Sequence, residues 1–539
     1  MIKEICSQSK SKVFFKKPMS CLHMICFFVI AANCLHAQTE KWVYGYDGPG
    51  HSHDYANSVV YGADGNIYVA GKSLGSTTRN DFTVISLTPS GTQRWVYRKN
   101  GPLEDNAWAI AYGQDNNIYA AGYVSTSATA MDLTIVSLTP AGAQRWIYTH
   151  NGPMNSDDYA VSIIYGPDGN IYAAGKSGVT NHDVFVVSLT PSGTERWLYY
   201  YNGPANSLDV AYSIKYGPDG NLYVAGHGGG GSGRHFIVIS LTTSGTERWV
   251  YDNGGANNWY SYAYSTAFDS DGNIYACGYL WTGTMSDFTV VKLDTSGTEQ
   301  WIYQYNAPWS GYEGAYSIIC GTDGNIYAAG SGTPASNVFT DLLVISLTTT
   351  GQERWVYYYG GPSNLNDGAE SIVFGDNGNI YVTGYSTASS NSEDWDIVVL
   401  KMDTNGLLKW LYRFDGPGHF RDCGEEIVYG SDDNLYVAGY SYGANQDFTV
   451  LSIGPELGVE EKTTQSSIAR SYYDVLPNPF ASYASVLGHE EKCFCMFDVT
   501  GRQVGLYKGD RIGWDLGPGT YFLMPEDRSL QPMRVVKIK

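Results

Sequence analysis

"YGPDGNIYAAG", Tyr165–Gly175, decides how this chain folds. Asp168, Gly169 and Asn170 are the residue types of a calcium loop, where carboxylates and a turn glycine gather around a cation. They are equally the residue types of a tight hairpin turn. The flanks separate the two readings. A calcium loop needs further ligands at set spacings and a closing bidentate acid. Here the apolar run Ile171–Ala174 follows Asn170 at once. The stretch therefore predicts two strands joined by a two-residue Asp-Gly turn.

The phrase recurs eight times, from "YGADGNIYVAG" at Tyr61 to "YGSDDNLYVAG" at Tyr429. A second phrase, "SLTPSGTERWLY", travels with it. Its tryptophans are Trp42, Trp95, Trp146, Trp197, Trp249, Trp301, Trp355 and Trp410, spaced 51 to 55 residues apart. A fixed period of this length marks a repeat architecture. Each unit reads as four short strands: A "DYAVSIIYG", B "NIYAAGKS", C "DVFVVSLT" and D "TERWLYYY". Four antiparallel strands repeated eight times predict an all-β, eight-bladed β-propeller over residues 40–455. The ends support a ring. The chain offers an isolated strand D, "KWVYGY", before the first unit, while the eighth unit has A, B and C but no tryptophan strand. The N-terminal strand is expected to complete the last blade and so remove the open edge.

Residues 1–37 read as a signal peptide. A basic stretch with Lys10, Lys12, Lys16 and Lys17 precedes "MICFFVIAANCLHA", which is too short for a good spanning helix and ends in small residues. No later segment is apolar for long enough to span a membrane. The chain carries 33 Lys and Arg against 53 Asp and Glu, and residues 1–37 hold five of the lysines and one glutamate. The remainder is thus more acidic than the whole, near −24, with no basic patch suited to nucleic acid. It keeps Cys277, Cys320, Cys423, Cys493 and Cys495, an odd number at irregular spacing, which argues against a disulfide framework.

"GGPSNLNDGAESIVFGDNGNIYVTGYS" with "DIVVLKMDTNGLLKWLY" resembles the bacterial SBBP-type β-propeller repeat. The resemblance covers residues 40–455 and implies a fold and an exported setting, not a reaction. A linker over 456–471 follows. The tail over 472–539 reads "YYDVLPNPF", "CFCMFDVTGRQV", "GWDLGPGTYFL" and "RVVKIK". It resembles the C-terminal sorting domain of the type IX secretion system. That resemblance implies a small β-sandwich that engages the type IX machinery and directs passage across an outer membrane.

Strand order places the A–B and C–D turns on one face and the B–C loops and D–A connectors on the other. The second set varies in length and sequence, so it is the expected binding face. Two acidic rings lie there. Strand A opens on Asp54, Asp105, Asp158, Asp209, Glu313, Asp367 and Asp422, with Ser261 in blade five. Strand C opens on Asp81, Asp132, Asp183, Asp287, Asp341, Asp396 and Asp447, with His235 in blade four. A cation-binding mouth is one reading. Repetition favours the other, in which each acid accepts loop N–H groups in its own blade. Histidines gather on this face too: His51, His53, His150, His182, His227, His235 and His419. A metal held by His51, His53, His419 and Asp422 is weakly supported, so neither metal nor cofactor is expected.

Departures from the repeat cluster in blades four to six, at "GHGGGGSGRH", "NGGANNWYSY", "GYLWTGTMSD" and "NAPWSGYEG". They place Trp259, Tyr260, Trp281, Trp309 and Tyr312 on one face of adjacent blades. Aromatic rings beside Asn and Gly suit a glycan or a surface-protein ligand. Packing into neighbouring connectors is the competing expectation. The expected function is a non-catalytic exported binding module. The alternative is a propeller enzyme, either a quinoprotein-like dehydrogenase, whose blade phrase is similar to "KLDTSGTEQW", or a polysaccharide-acting enzyme using paired carboxylates. The sequence has no adjacent cysteine pair, haem motif or nucleophile elbow.

Overall fold

The computed structural model describes residues 40–454 except 78, 126–130, 179–180, 231–232, 256–258, 284, 308–310, 335–338, 364 and 444. Beyond these it describes 475–476, 483, 485–486, 491–498, 502–525 and 533–537. The expected signal peptide over 1–37 and the expected linker over 456–471 lie outside the described residues. Among the described residues no helix is long and apolar enough to cross a membrane.

Eight four-stranded antiparallel sheets form an eight-bladed β-propeller. Blade three is typical: A is Tyr159–Tyr165, B Ile171–Ser177, C Asp183–Leu189 and D Glu195–Tyr201. Strands B and C are buried on both faces, so their side chains are nearly all apolar or small. The inner strands follow one another round the axis, and that of blade eight, Cys423–Tyr429, returns to that of blade one, Tyr55–Tyr61. Closure occurs as expected. Glu40–Tyr46 pairs antiparallel with Gln446–Ile453 as the fourth strand of blade eight.

The A–B turn differs from the expected two-residue form. Gly169 N–H donates to Gly166 O at 2.9 Å and Gly166 N–H to Asn170 O at 2.8 Å. Three residues, Pro167 to Gly169, make the turn, and only Gly169 has positive φ, +79°. A two-residue type I′ turn needs positive φ at both central positions, which proline and aspartate before the glycine oppose. Asn116 and Asp433 take the left-handed position where blades two and eight lack the glycine.

Asp168 serves this turn. Its carboxylate accepts the Asn170 backbone N–H at 3.1 Å, the Asn170 side-chain amide at 2.9 Å and the Tyr172 hydroxyl. Burial alone would raise this carboxyl, but those donors and the nearby Arg196 outweigh it and hold it below its usual range. Tyr172 is fully buried and also accepts from Arg196, which bonds Ser188 at 2.8 Å. The aspartate thus ties turn, strand B and strand D together within one blade.

The tryptophans dock blade to blade. Trp146 Nε1 donates to Pro191 O at 2.9 Å in the next C–D turn, and its ring lies on Gly193. A Cβ there would stand 2.6 Å from the indole, and Gly193 has φ +84°. Both facts require glycine. The arrangement repeats from Trp42 on Gly91 to Trp355 on Gly406. Such docking accounts for the tryptophan repeat without any cofactor role.

In the tail, four strands form an antiparallel sheet ordered Gln503–Lys508, Cys493–Asp498, Gly519–Pro525, Met533–Lys537. A two-stranded ribbon, Val475–Leu476 with Ser485–Val486, packs on it through Val486 against Phe494, Met496 and Leu523. All five described cysteines are free thiols.

Candidate binding face and central channel

The strand-A acids are loop latches. Asp209 Oδ2 accepts Gly203 N–H at 2.8 Å from the connector entering blade four, and Oδ1 accepts Gly229 N–H from the B–C loop. Asp54, Asp105, Asp158, Asp367 and Asp422 make the equivalent pair of bonds, and all are buried. Burial raises these carboxyls despite the bonds: Asp54, Asp105, Asp209 and Asp367 to about 6 and Asp422 to about 7. Each one therefore fixes its own loops, as its repetition suggested. Between blades, the strand-A residue donates its backbone N–H to the residue before strand C of the previous blade. Asp209 to His182 is 2.7 Å and Ser261 to Arg234 is 2.8 Å.

The histidine set does not assemble. His51 contacts Asp47 at 2.6 Å and His419 contacts Asp415 at 2.6 Å, each within its own connector. Asp422 is occupied by Gly416 and Tyr442. Two carboxylate triplets do approach within 4.8 Å: Asp47, Asp54 and Asp447, and Asp394, Asp396 and Asp415. Of their members Asp47 is engaged by His51, Asp54 by backbone N–H groups, Asp415 by His419 and Asp396 by Arg413.

The aromatic residues of blades five and six do assemble. Trp259 and Trp281 stack with centroids 5.2 Å apart and planes at 29°. Trp281 also meets Tyr312 at 6.4 Å. Trp259 and Tyr260 are each 49% exposed and Tyr312 59%. Trp309 lies outside the described residues. Tyr260 covers Arg234, whose guanidinium is 5.5 Å from its ring and 5.6 Å from that of Tyr262. Ser261 supplies the latch here with one hydroxyl, accepting Trp281 N–H at 3.2 Å. Among the described members of the set, Trp281 is the more buried.

A second constellation was missed. Every inner strand has a bulge at its third residue, shown by the register shift between Ala160 and Ser162 and its counterparts. A bulge re-aims one side chain. Those residues are Asn57, Trp108, Val161, Tyr212, Tyr264, Tyr316, Glu370 and Glu425. On one side Tyr212, Tyr264 and Tyr316 meet in series at 5.1 and 5.5 Å. On the other stand Glu370 and Glu425. Burial, then the charge of Glu425, raises Glu370; burial raises Glu425. Two buried carboxyls thus lie close enough for the charge of one to act on the other. The signal available in sequence was this column itself, since it breaks the repeat while its neighbours keep it.

An open depression of about 580 Å³ lies on the opposite, turn face, lined by Pro167, Tyr216, Pro218, Phe268 and Asp269. The Asp269 carboxylate there is taken by Asn273 and Tyr275, which leaves little chemistry.

No protein-family model matches the chain, and no curated protein matches it. Solved structures of low identity are similar to it. Sqt1 of Chaetomium thermophilum is 13% identical, covering 76% of this chain and 96% of its own, with a TM-score of 0.49. The periplasmic gluconolactonase of Pseudomonas aeruginosa is 14% identical, covering 66% and 98%, with a TM-score of 0.41. A quinohemoprotein alcohol dehydrogenase of Pseudomonas putida is 11% identical, covering 82% and 79%, with a TM-score of 0.44. This fold carries proteins of different activities, so function has to come from the site.

Proposed function

We propose that this protein is an exported, non-catalytic propeller of the SBBP repeat type that binds glycans through its variable loop face. In this reading the C-terminal domain hands it to the type IX secretion machinery, and it acts at the cell surface or beyond. One observation carries the glycan assignment: half-exposed Trp259 stacked on the more buried Trp281, with exposed Tyr312 beside them. Indole faces take the C–H face of a sugar, and loop amides and hydroxyls take its polar edge. Trp259→Ala with Trp281→Ala is expected to weaken binding of a captured polysaccharide by about tenfold or more, the worth of ~1.4 kcal/mol. Affinity electrophoresis measures this, with thermal melts confirming an intact fold. Unchanged affinity would remove the patch from the proposal.

The Glu370–Glu425 pair favours a second reading, a polysaccharide-acting enzyme, because two adjoining carboxyls raised by burial suit acid–base chemistry. Release of sugar ends from a bound polysaccharide, abolished by Glu370→Gln, would establish it. The binding proposal expects no release from the wild type.

A further inference from the structure

We infer that the junction of blades four and five selects acidic glycans, with Arg234 binding a sugar carboxylate or sulfate beside the Trp259–Trp281 stack. This rests on the glycan-binding reading and narrows it.

Both acidic rings of the variable face are broken once, and at the same place. Ser261 replaces the strand-A acid of blade five, and His235 replaces the strand-C acid of blade four. Ser261 N–H donates to Arg234 O at 2.8 Å, and His235 is the next residue along the chain. The two missing carboxylates therefore both flank Arg234. Other arginines on this face are matched by acids: Arg79 by Glu104, Arg98 by Asp81, Arg413 by Asp396 and Arg421 by Glu393. Arg234 has no carboxylate partner among the described residues. Asp252, the acid beside His235, is engaged by that histidine.

The guanidinium is held ready. It lies between Tyr260 and Tyr262, and Nη1 donates to the Tyr262 hydroxyl. That fixes its plane and leaves the Nε and Nη2 donors without a partner among the described residues. A planar fork of this kind matches an oxyanion with two parallel hydrogen bonds. In so acidic a chain, an arginine without a carboxylate partner focuses attraction for an anion onto this notch. Tyr260 is half exposed and directly follows Trp259, so one sugar chain can meet both features. A neutral sugar has no use for the arginine.

The test titrates the chain from residue 38 onward with three galactan-type oligomers of equal length: oligogalacturonate, a sulfated galactan and a neutral galactan. At least one acidic oligomer is expected to bind about tenfold more tightly than the neutral one, and added salt should weaken that binding. Which acidic oligomer binds identifies carboxylate or sulfate as the ligand group. Arg234→Gln should bring the acidic affinity down to the neutral level, and Arg234→Lys, which keeps charge but loses the fork, should fall between. Arg421→Gln is the control: its guanidinium also stands over a ring, Trp395 at 5.1 Å, but is matched by Glu393. It should bind like the wild type. Equal affinity for neutral and acidic oligomers, or an Arg234→Gln variant that melts and binds like the wild type, overturns the acidic selection while glycan binding stands. Binding of none of the three overturns both.

Discussion

Deleting residues 40–46 is expected to lower the melting temperature by roughly 10 °C or more and to cause self-association. This strand is the fourth of blade eight, paired from Trp42 opposite Ser452 to Tyr46 opposite Phe448. It also docks blade one, since Trp42 Nε1 donates to Pro89 O at 2.9 Å and its ring lies on Gly91. Tyr412 of blade seven donates to Glu40. Removing the strand severs both joints at once. It also bares the edge of Gln446–Ile453, a strand whose side chains are almost all buried. An unpaired apolar edge is a template for pairing with another chain. The seam is already the least repetitive joint. Trp410 is the one docking tryptophan whose next blade has no C–D turn, and its buried Nε1 has no partner among the described residues. Thermal melts and size-exclusion chromatography check the prediction. A truncated chain that melts and elutes like the wild type would show that the ring holds without the strand.

The protein is expected to be more stable in mild acid than at neutral pH. Burial raises Asp54, Asp105, Asp209, Asp367 and Asp396 to about 6, and Glu313, Asp341 and Asp422 to about 7. The unfolded chain titrates these groups near their ordinary values, around 4. Between about pH 4 and pH 7 the folded state therefore holds protons that the unfolded state has released, and stability falls as pH rises. Net negative charge adds self-repulsion in the same direction. The turn acids Asp64, Asp168, Asp219, Asp269 and Asp323 act oppositely: hydrogen bonds overcome burial and hold them low. Their contribution is present above about pH 4 and is lost below it. Burial holds His150, His182 and His227 low, so their contribution is lost as pH falls below about 6.5 and opposes the first set; the raised acids outnumber them, which keeps stability higher in mild acid than at pH 7. Melting curves across mild acid to neutral buffer test this, and a melting temperature that climbs towards neutrality would refute it.

Much of the fold was legible because its bonds are local or reach one repeat ahead. Asp168 binds within two and four residues of itself, and Trp146 binds a turn one period on, so eight copies of a phrase carry eight copies of each contact. The turn form was misread by one residue, because Asp-Gly fits both hairpin types and only the hydrogen-bond closure separates them. The stacked tryptophans of blade five were legible as departures from the repeat. Glu370 and Glu425 were not, since a bulge breaks the two-residue alternation that assigns side chains to faces.

By itself the sequence determined the eight units, their four strands, the docking tryptophans and the closing N-terminal strand. Each follows from short-range turn chemistry and a fixed period. Only the tertiary structure decided which departures meet. Ser261, Arg234 and His235 become one notch, and Tyr316, Glu370 and Glu425 neighbours on adjacent inner strands, because strand register and blade-to-blade contact set residues a whole repeat apart side by side.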